Sequence, residues 1–240
     1  MQDGIFIVDK PAGMTSRALV NRVQLLLPRG VKIGHTGTLD PLATGVLVLC
    51  VGTATKQAET IQSLGKTYRA GIRLGGRSTT DDADGIITVA ANVAIPDPAR
   101  IDRELQGFVG RVEQRPPQYS AIKVGGRRAY AMARKGQRFD LSPRWVQIDS
   151  IQRLEYVWPL LELMIECGKG TYIRSLARDL GERLGVGGYI ESLRRIRVGP
   201  FAIDQAVKFS GNIAEDQESL RTGFIPIAQA LAMMTPRTTS

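Results

Sequence analysis

Within Gly34-His35-Thr36-Gly37-Thr38-Leu39-Asp40-Pro41-Leu42-Ala43-Thr44-Gly45 the chain places its only histidine, His35, and a proline-followed aspartate, Asp40, in one glycine-punctuated loop. A carboxylate held there could act as a nucleophile or a base, and the imidazole could carry a proton. Pro41 steers Asp40 out of the α region, while Gly34, Gly37 and Gly45 admit positive φ and close approach of another chain. The same residues would also make an ordinary Asx turn. Other chemistries fit less well. One histidine and two distant cysteines, Cys50 and Cys167, do not supply the usual zinc ligands, and a Ser-His-Asp triad would have to use His35. Gly65-Lys66-Thr67 resembles the end of a P-loop, but Thr60 stands where that motif needs its first glycine.

The elements that must position this loop alternate along the chain. Ile5 to Val8 reads as a strand, followed by a turn at Lys10-Pro11-Ala12-Gly13 and a helix from Ala18 to Leu27 that Ser16 can cap. The loop leads into the apolar strand Val46 to Val51. Ala54 to Leu64 reads as helix, Thr67 to Leu74 as strand, Thr79 to Gly85 as a polar loop and Pro98 to Phe108 as helix. Consecutive prolines make Arg115 to Lys123 extended, and a short helical stretch is expected over Tyr130 to Lys135. In the second half Val146 to Tyr156 and Leu160 to Cys167 read as strands. Tyr172 to Leu184 reads as a helix ended by Gly185, Tyr189 to Arg195 as another, and Ile227 to Met233 as a last one. Mixed strands and helices predict an α/β or α+β layered domain.

The 240 residues carry 32 lysines and arginines against 23 acids, a net charge of +9, which favours a polyanionic partner such as nucleic acid. Arg115, Lys123, Arg127, Arg128, Arg134, Lys135, Arg138 and Arg144 crowd one segment with Tyr119 and Tyr130 interleaved, in the manner of a phosphate-tracking surface with aromatic platforms. A solvated charged face would look similar. Arg194, Arg195 and Arg197 form a second basic group. No apolar run approaches the length of a membrane span, and the N-terminus lacks the pattern of a secretory signal. The expected location is the cytoplasm, with no membrane partner. Cys50 and Cys167 sit in apolar stretches and read as small core residues.

Six long blocks then carry a resemblance: DKPAGMTS (Asp9 to Ser16), KIGHTGTLDPLATGVL (Lys32 to Leu47), GKTYRA (Gly65 to Ala70), RPPQYSAIKVGGRRAY (Arg115 to Tyr130), GTYIRSLARDLG (Gly170 to Gly181) and LRRIRVG (Leu193 to Gly199). In this order they resemble the bacterial tRNA pseudouridine synthase B family, from about Gly4 to Gly199, and TTDDADG (Thr79 to Gly85) fits as well. The resemblance implies a pseudouridine-synthase catalytic domain with a central mixed, largely antiparallel sheet flanked by helices. It also implies isomerisation of the T-loop uridine at position 55 of tRNA. That reaction breaks the bond from uracil N1 to ribose C1′ and rejoins the base through C5, with no cofactor and no metal.

By resemblance Asp40 is the essential carboxylate; attack at C6, attack at C1′ and proton removal to a glycal would each use it. The uridine must be extruded from the folded T-arm. Tyr68 is similar to the tyrosine that stacks on the flipped base, and Arg174 to the arginine that pairs with the aspartate. Tyr172 and Leu193 match pocket residues, His35 the wedge that fills the vacated space, and Lys10 with Pro11 the motif that supports the pocket. Taken without the resemblance, Tyr68 is a strand aromatic, Arg174 a surface residue at a helix start and Leu193 a core leucine.

Residues 1–205 are expected to form the catalytic domain, with an RNA-binding segment at about 115–145. Residues 206–240 would be a short C-terminal extension, too small for the PUA-type RNA-binding domain that many family members carry. The expected partner is the T-arm stem-loop of tRNA. The chain is expected to act as a monomer with no obligate protein partner. A guide-RNA-dependent relative shares the aspartate loop, but the tyrosine and arginine blocks favour the stand-alone form. An RNA-folding role and a carboxylate-dependent nucleoside hydrolase are the competing readings.

Overall fold

The computed structural model describes residues 3–120, 122–124, 127, 128, 130, 132, 137 and 139–235. They divide into two units, residues 1–68 with 194–240 and residues 69–193. Two strands, β4 (Lys66–Leu74) and β12 (Gly188–Val198), each begin in one unit and end in the other.

In the first unit β1 (Gly4–Lys10) lies antiparallel to β3 (Thr44–Val51), with Gly4 opposite Val51 and Lys10 opposite Gly45. Strand order is β14-β1-β3-β12, where β14 is Phe224–Pro226; β2 (Ile33–His35) pairs with the end of β3, and β13 (Phe201–Ala202) with the end of β12. The contact of β3 with β12 is parallel, through Arg194 opposite Thr44 and Arg195 opposite Gly45. Both faces are covered, which is why these strands read as unbroken apolar runs rather than as alternation. On one face Ile5, Ile7, Val46, Val48 and Cys50 pack with Phe201 and Ala230. On the other, Phe6, Val8, Leu47 and Leu49 meet Leu19, Val20 and Val23 of α1 (Ser16–Leu26), with Leu220 of α5 (Ile213–Thr222). α2 (Ala58–Ser63) and α6 (Ile227–Met234) belong to the same unit.

In the second unit the order is β12-β4-β11-β10-β7. The long hairpin of β10 (Arg144–Val157) and β11 (Leu160–Cys167) is antiparallel, and β7 (Gly110–Gln114) lies antiparallel on its outer edge. The β5–β6 hairpin (Gly76–Ser78 with Ile87–Val89) and the short pair β8–β9 (Lys123–Val124 with Arg127–Arg128) complete the strands described. α3 (Pro98–Gln106) packs on α4 (Ile173–Leu184), whose end is closed by Gly185 in the left-handed region at φ 75°, where a glycine carries no Cβ penalty. The architecture is mixed α/β with a mostly antiparallel sheet, as expected.

Three local expectations need correction. Tyr189 to Arg195 is strand, not helix. Ile190 and Leu193 are spaced three apart and mimic a helical stripe, but β3 supplies backbone partners to Arg194 and Arg195 that no local periodicity reveals. Ser16 does not cap α1. Thr15 does, accepting from the Ala18 amide at 3.0 Å, and Ser16 is drawn inward. Ala54 to Leu64 divides into a 3-10 turn over Gly52–Gln57 followed by the shorter α2. The expected helix over Tyr130 to Lys135 falls largely outside the described residues, as do Arg134, Lys135 and Arg138.

Candidate active site

The loop bearing Asp40 is fixed on both sides of that residue. Before it, Ser16 Oγ accepts from the Leu39 amide at 2.8 Å and donates to the Leu39 carbonyl at 3.0 Å. After it, the Pro41 carbonyl accepts from Gly13 N at 2.9 Å and from Lys10 Nζ at 3.2 Å. The Asp40 carbonyl itself accepts from Ala43 N at 3.1 Å. Asp40 is half-buried between buried Leu39 and exposed Pro41, so its neighbours are anchored while the residue keeps a solvent-facing side. Backbone anchors on both sides hold the position of the residue that bears the carboxylate, a useful property for a group that must meet a reacting atom.

Lys10, expected as a supporting residue, is fully buried at the end of β1. Its Nζ also donates to the carbonyls of Pro11 at 2.9 Å and Met14 at 2.6 Å, tying the first motif to the aspartate loop. Burial pushes its ammonium pKa down to about 8. Asp40 draws it back up, and the charge of Arg195 lowers it further. Arg195 is the second brace, with 3 % of its surface exposed. Its Nε donates to the Val46 carbonyl at 2.7 Å and its Nη2 to the Gly37 carbonyl at 3.1 Å. Gly45 lies beside it at φ 99°, where a Cβ would fall 2.1 Å from the Arg195 carbonyl oxygen, so only glycine fits.

This corrects the second basic group. Arg195 is internal, and Arg194 forms a bidentate pair with Asp9, its Nη2 2.7 Å from Oδ2 and its Nη1 3.1 Å from Oδ1. Of the three arginines Arg197 is the exposed one. His35 lies in β2, partly buried, and its Nδ1 accepts from the Gly37 amide at 3.4 Å. Tyr68 is buried in β4.

In the second unit Arg174 is buried in the first turn of α4, not exposed. Its guanidinium donates to the carbonyls of Thr80 at 3.0 Å and Tyr119 at 2.7 Å and lies 3.2 Å from Asp82 Oδ2. One turn on, Arg178 pairs with Asp81 at 2.9 Å, so two successive acids of the polar loop face two arginines one helical turn apart. Burial raises the pKa of Asp81, partly offset by Arg178 and Arg174. Tyr172 caps α4 and is clasped by Gln114, whose amide accepts from its N–H at 2.8 Å and donates to its carbonyl at 3.0 Å. Leu193 is buried in β12.

Sequence reasoning missed Asp82, Gln114 and the inward turn of Ser16. Asp82 lies in a block read as a polar loop that fits the family resemblance, with no role given to that residue. Gln114 and Ser16 give no sequence signal beyond their nearness to the proline pair and to the first motif. Among the described residues there is no group of three or more histidine, cysteine or acidic side chains that could hold a metal, and no helix is long and apolar enough to cross a membrane.

Residues 24–173 match the profile of the TruB family pseudouridylate synthases, N-terminal domain, and residues 174–232 match the C-terminal domain of tRNA pseudouridylate synthase B. The chain belongs to the TruB family. It is 46 % identical over 233 residues to the tRNA pseudouridine synthase B of Xanthomonas oryzae pv. oryzae (strain MAFF 311018), covering 95 % of this chain and 75 % of that protein. To that of Cereibacter sphaeroides it is 45 % identical over 232 residues, covering 95 % and 76 %. Among solved structures, a chain from a Cbf5-Nop10-Gar1 complex matches with a TM-score of 0.74 and 28 % identity. That match covers 97 % of this chain but 62 % of the solved one, less than two thirds of its length.

Proposed function

We propose that this chain isomerises a uridine of tRNA to pseudouridine, acting on the T-loop uridine at position 55, with Asp40 as the reacting carboxylate. The observation that carries the reading is the anchoring of Leu39 and Pro41 by Ser16 and Lys10, which leaves the residue between them fixed yet accessible. Family membership supplies the reaction class, and the net charge of +9 suits a polyanionic substrate. Tyr68 is assigned to stacking on the extruded base, Tyr172 and Leu193 to lining its pocket, Arg174 to the counter-charge for the carboxylate, and His35 to the space the base vacates. Lys10 supports the loop. The stand-alone form, a cytoplasmic monomer with no guide RNA, is favoured by the higher identity to the tRNA enzymes than to the chain from the Cbf5-Nop10-Gar1 complex. Residues 1–205 are assigned to catalysis, and 206–240 to a short C-terminal extension.

The test is to map pseudouridine in an unmodified tRNA transcript after incubation with the pure protein and with Asp40→Asn. The wild type is expected to modify one T-loop uridine. The variant should abolish turnover while holding tRNA affinity within about tenfold, or about 1.4 kcal/mol. Turnover retained in Asp40→Asn would refute the assignment of Asp40. A large affinity loss would make the aspartate an organiser of the loop instead.

A further inference from the structure

The first unit contains a cavity to which the reading of Asp40 gives no ligand. A cavity of about 240 Å³ opens beside the first motif, and four cations, Lys10, Arg22, Arg194 and Lys208, line it against a single carboxylate, Asp9. Two of them are held rigidly from outside the cavity's own charge balance or across it. Arg22 Nη2 donates to the buried Asp216 at 2.7 Å, and Arg194 is clamped by Asp9. A guanidinium has five N–H donors, so one bond to Asp216 does not exhaust Arg22. Lys208 is exposed at the rim.

The remainder of the wall is apolar, built from Pro11, Met14, Leu19 and Phe209. The Arg22 guanidinium lies over the Phe209 ring, 5.2 Å from its centroid, which sets a flat aromatic surface next to a fixed positive charge. A cationic rim beside a flat apolar wall suits an anion attached to a flat, weakly polar group. Phosphate bound to a nucleoside has this chemistry. A lone inorganic anion would leave the apolar half unused, and a carboxylate metabolite would not need the aromatic face. Lys10 connects the two sites physically, since it lines the cavity and also donates to Pro41, next to Asp40.

We infer that this cavity binds one phosphate-bearing nucleotide of the RNA strand, its phosphate on Arg22, Arg194 and Lys208 and its base or sugar against Phe209. The inference rests on the tRNA reading for the source of the nucleotide. Binding there would set the register of the strand relative to the aspartate loop through a contact separate from the extruded uridine.

Fluorescence-anisotropy titration with an unmodified tRNA transcript at several salt concentrations tests it, comparing wild type, Lys208→Glu, Phe209→Ala and Lys56→Glu. Lys56 is exposed in the same unit and does not line the cavity. Lys208→Glu should weaken binding about tenfold and reduce the salt slope by about one, and Phe209→Ala should weaken it about fivefold with the slope unchanged. Lys56→Glu should weaken it less than about threefold, the effect of one distant charge. Equal losses in Lys208→Glu and Lys56→Glu would mean only a general field and would overturn the site, as would unchanged affinity in Lys208→Glu. Uridine 5′-monophosphate serves as a second probe. If it binds in a Lys208-dependent way while tRNA affinity ignores Lys208, the cavity takes a free nucleotide and the RNA contact is refuted. These titrations read binding alone, so a wild type that binds tRNA at the cavity but forms no pseudouridine would sink the catalytic proposal and leave this one standing.

Discussion

Arg195 and Arg174 are both buried arginines brought to a backbone loop by a strand or a helix, yet their surroundings differ in kind. Arg195 of the first unit donates to the carbonyls of Val46 and Gly37, and its neighbour Lys10 donates to three more. Arg174 of the second unit adds a carboxylate, Asp82, to two carbonyls. A cation bound to carbonyls organises the chain that bears them, because every bond fixes a backbone position. A cation bound to a buried carboxylate is one half of a charge balance, and removing the other half leaves it stranded. The first arrangement is a brace for the Asp40 loop. The second is a paired charge that holds the polar loop of residues 79–85 against α4.

The sharpest way to break this comparison is Asp82→Ala, which should cost about 3–5 kcal/mol in urea unfolding because the buried Arg174 loses the carboxylate 3.2 Å from its guanidinium. A loss no larger than that of a surface substitution would show that Arg174 is satisfied without Asp82. The pH dependence of Lys10 comes next. Its pKa falls from 10.5 to about 8 on folding, so between those values the unfolded chain binds more protons than the folded one. The contribution to stability is complete above 10.5 and is lost as pH falls to about 8. Wild type should therefore gain up to about 3 kcal/mol over that window relative to Lys10→Met. Parallel stability curves for the two proteins would show that Lys10 does not titrate with folding.

Arg195→Met should cost about 2 kcal/mol, less than Asp82→Ala, since the substitution removes a buried charge along with the bonds to Val46 and Gly37. If the order of these two losses were reversed, the distinction between brace and pair would fail. Smallest of the four is Ser16→Ala, expected to cost about 1 kcal/mol in stability through its two bonds with Leu39. Its larger signature should be kinetic. Single-turnover isomerisation should slow with tRNA affinity unchanged, and a drop in affinity with the rate preserved would place Ser16 outside the positioning of Asp40.

Most of the fold's elements are legible in the chain because their signals are local. The apolar runs of β1 and β3, the Pro-opened α3 and the Gly185-capped α4 each announce themselves within a dozen residues. β12 does not. Its apolar spacing suits a helix as well as a strand, and the choice belongs to its sheet neighbours β3 and β4, with Thr44 of β3 lying 150 residues before Arg194. Arg195, in the middle of the second basic group, is hidden for a related reason: it is buried and bonded to the carbonyls of Val46 and Gly37. Composition counts charges but does not see which of them already has a partner.

The sequence by itself determined the candidate carboxylate and its local stage: an aspartate before proline, among glycines, at the mouth of an apolar strand, inside motifs that resemble one family. Only the tertiary structure decided what holds that stage. Ser16 and Arg195 joined Lys10, already expected there, as its supports, with Asp82 a partner of Arg174 and Gln114 the clasp of Tyr172. The physical reason is that propensity and turn chemistry act over a few residues, whereas a buried polar group must find its partner wherever the packed chain presents one. Arg194 meets Asp9 across 185 residues of sequence, a distance over which no local pattern carries information.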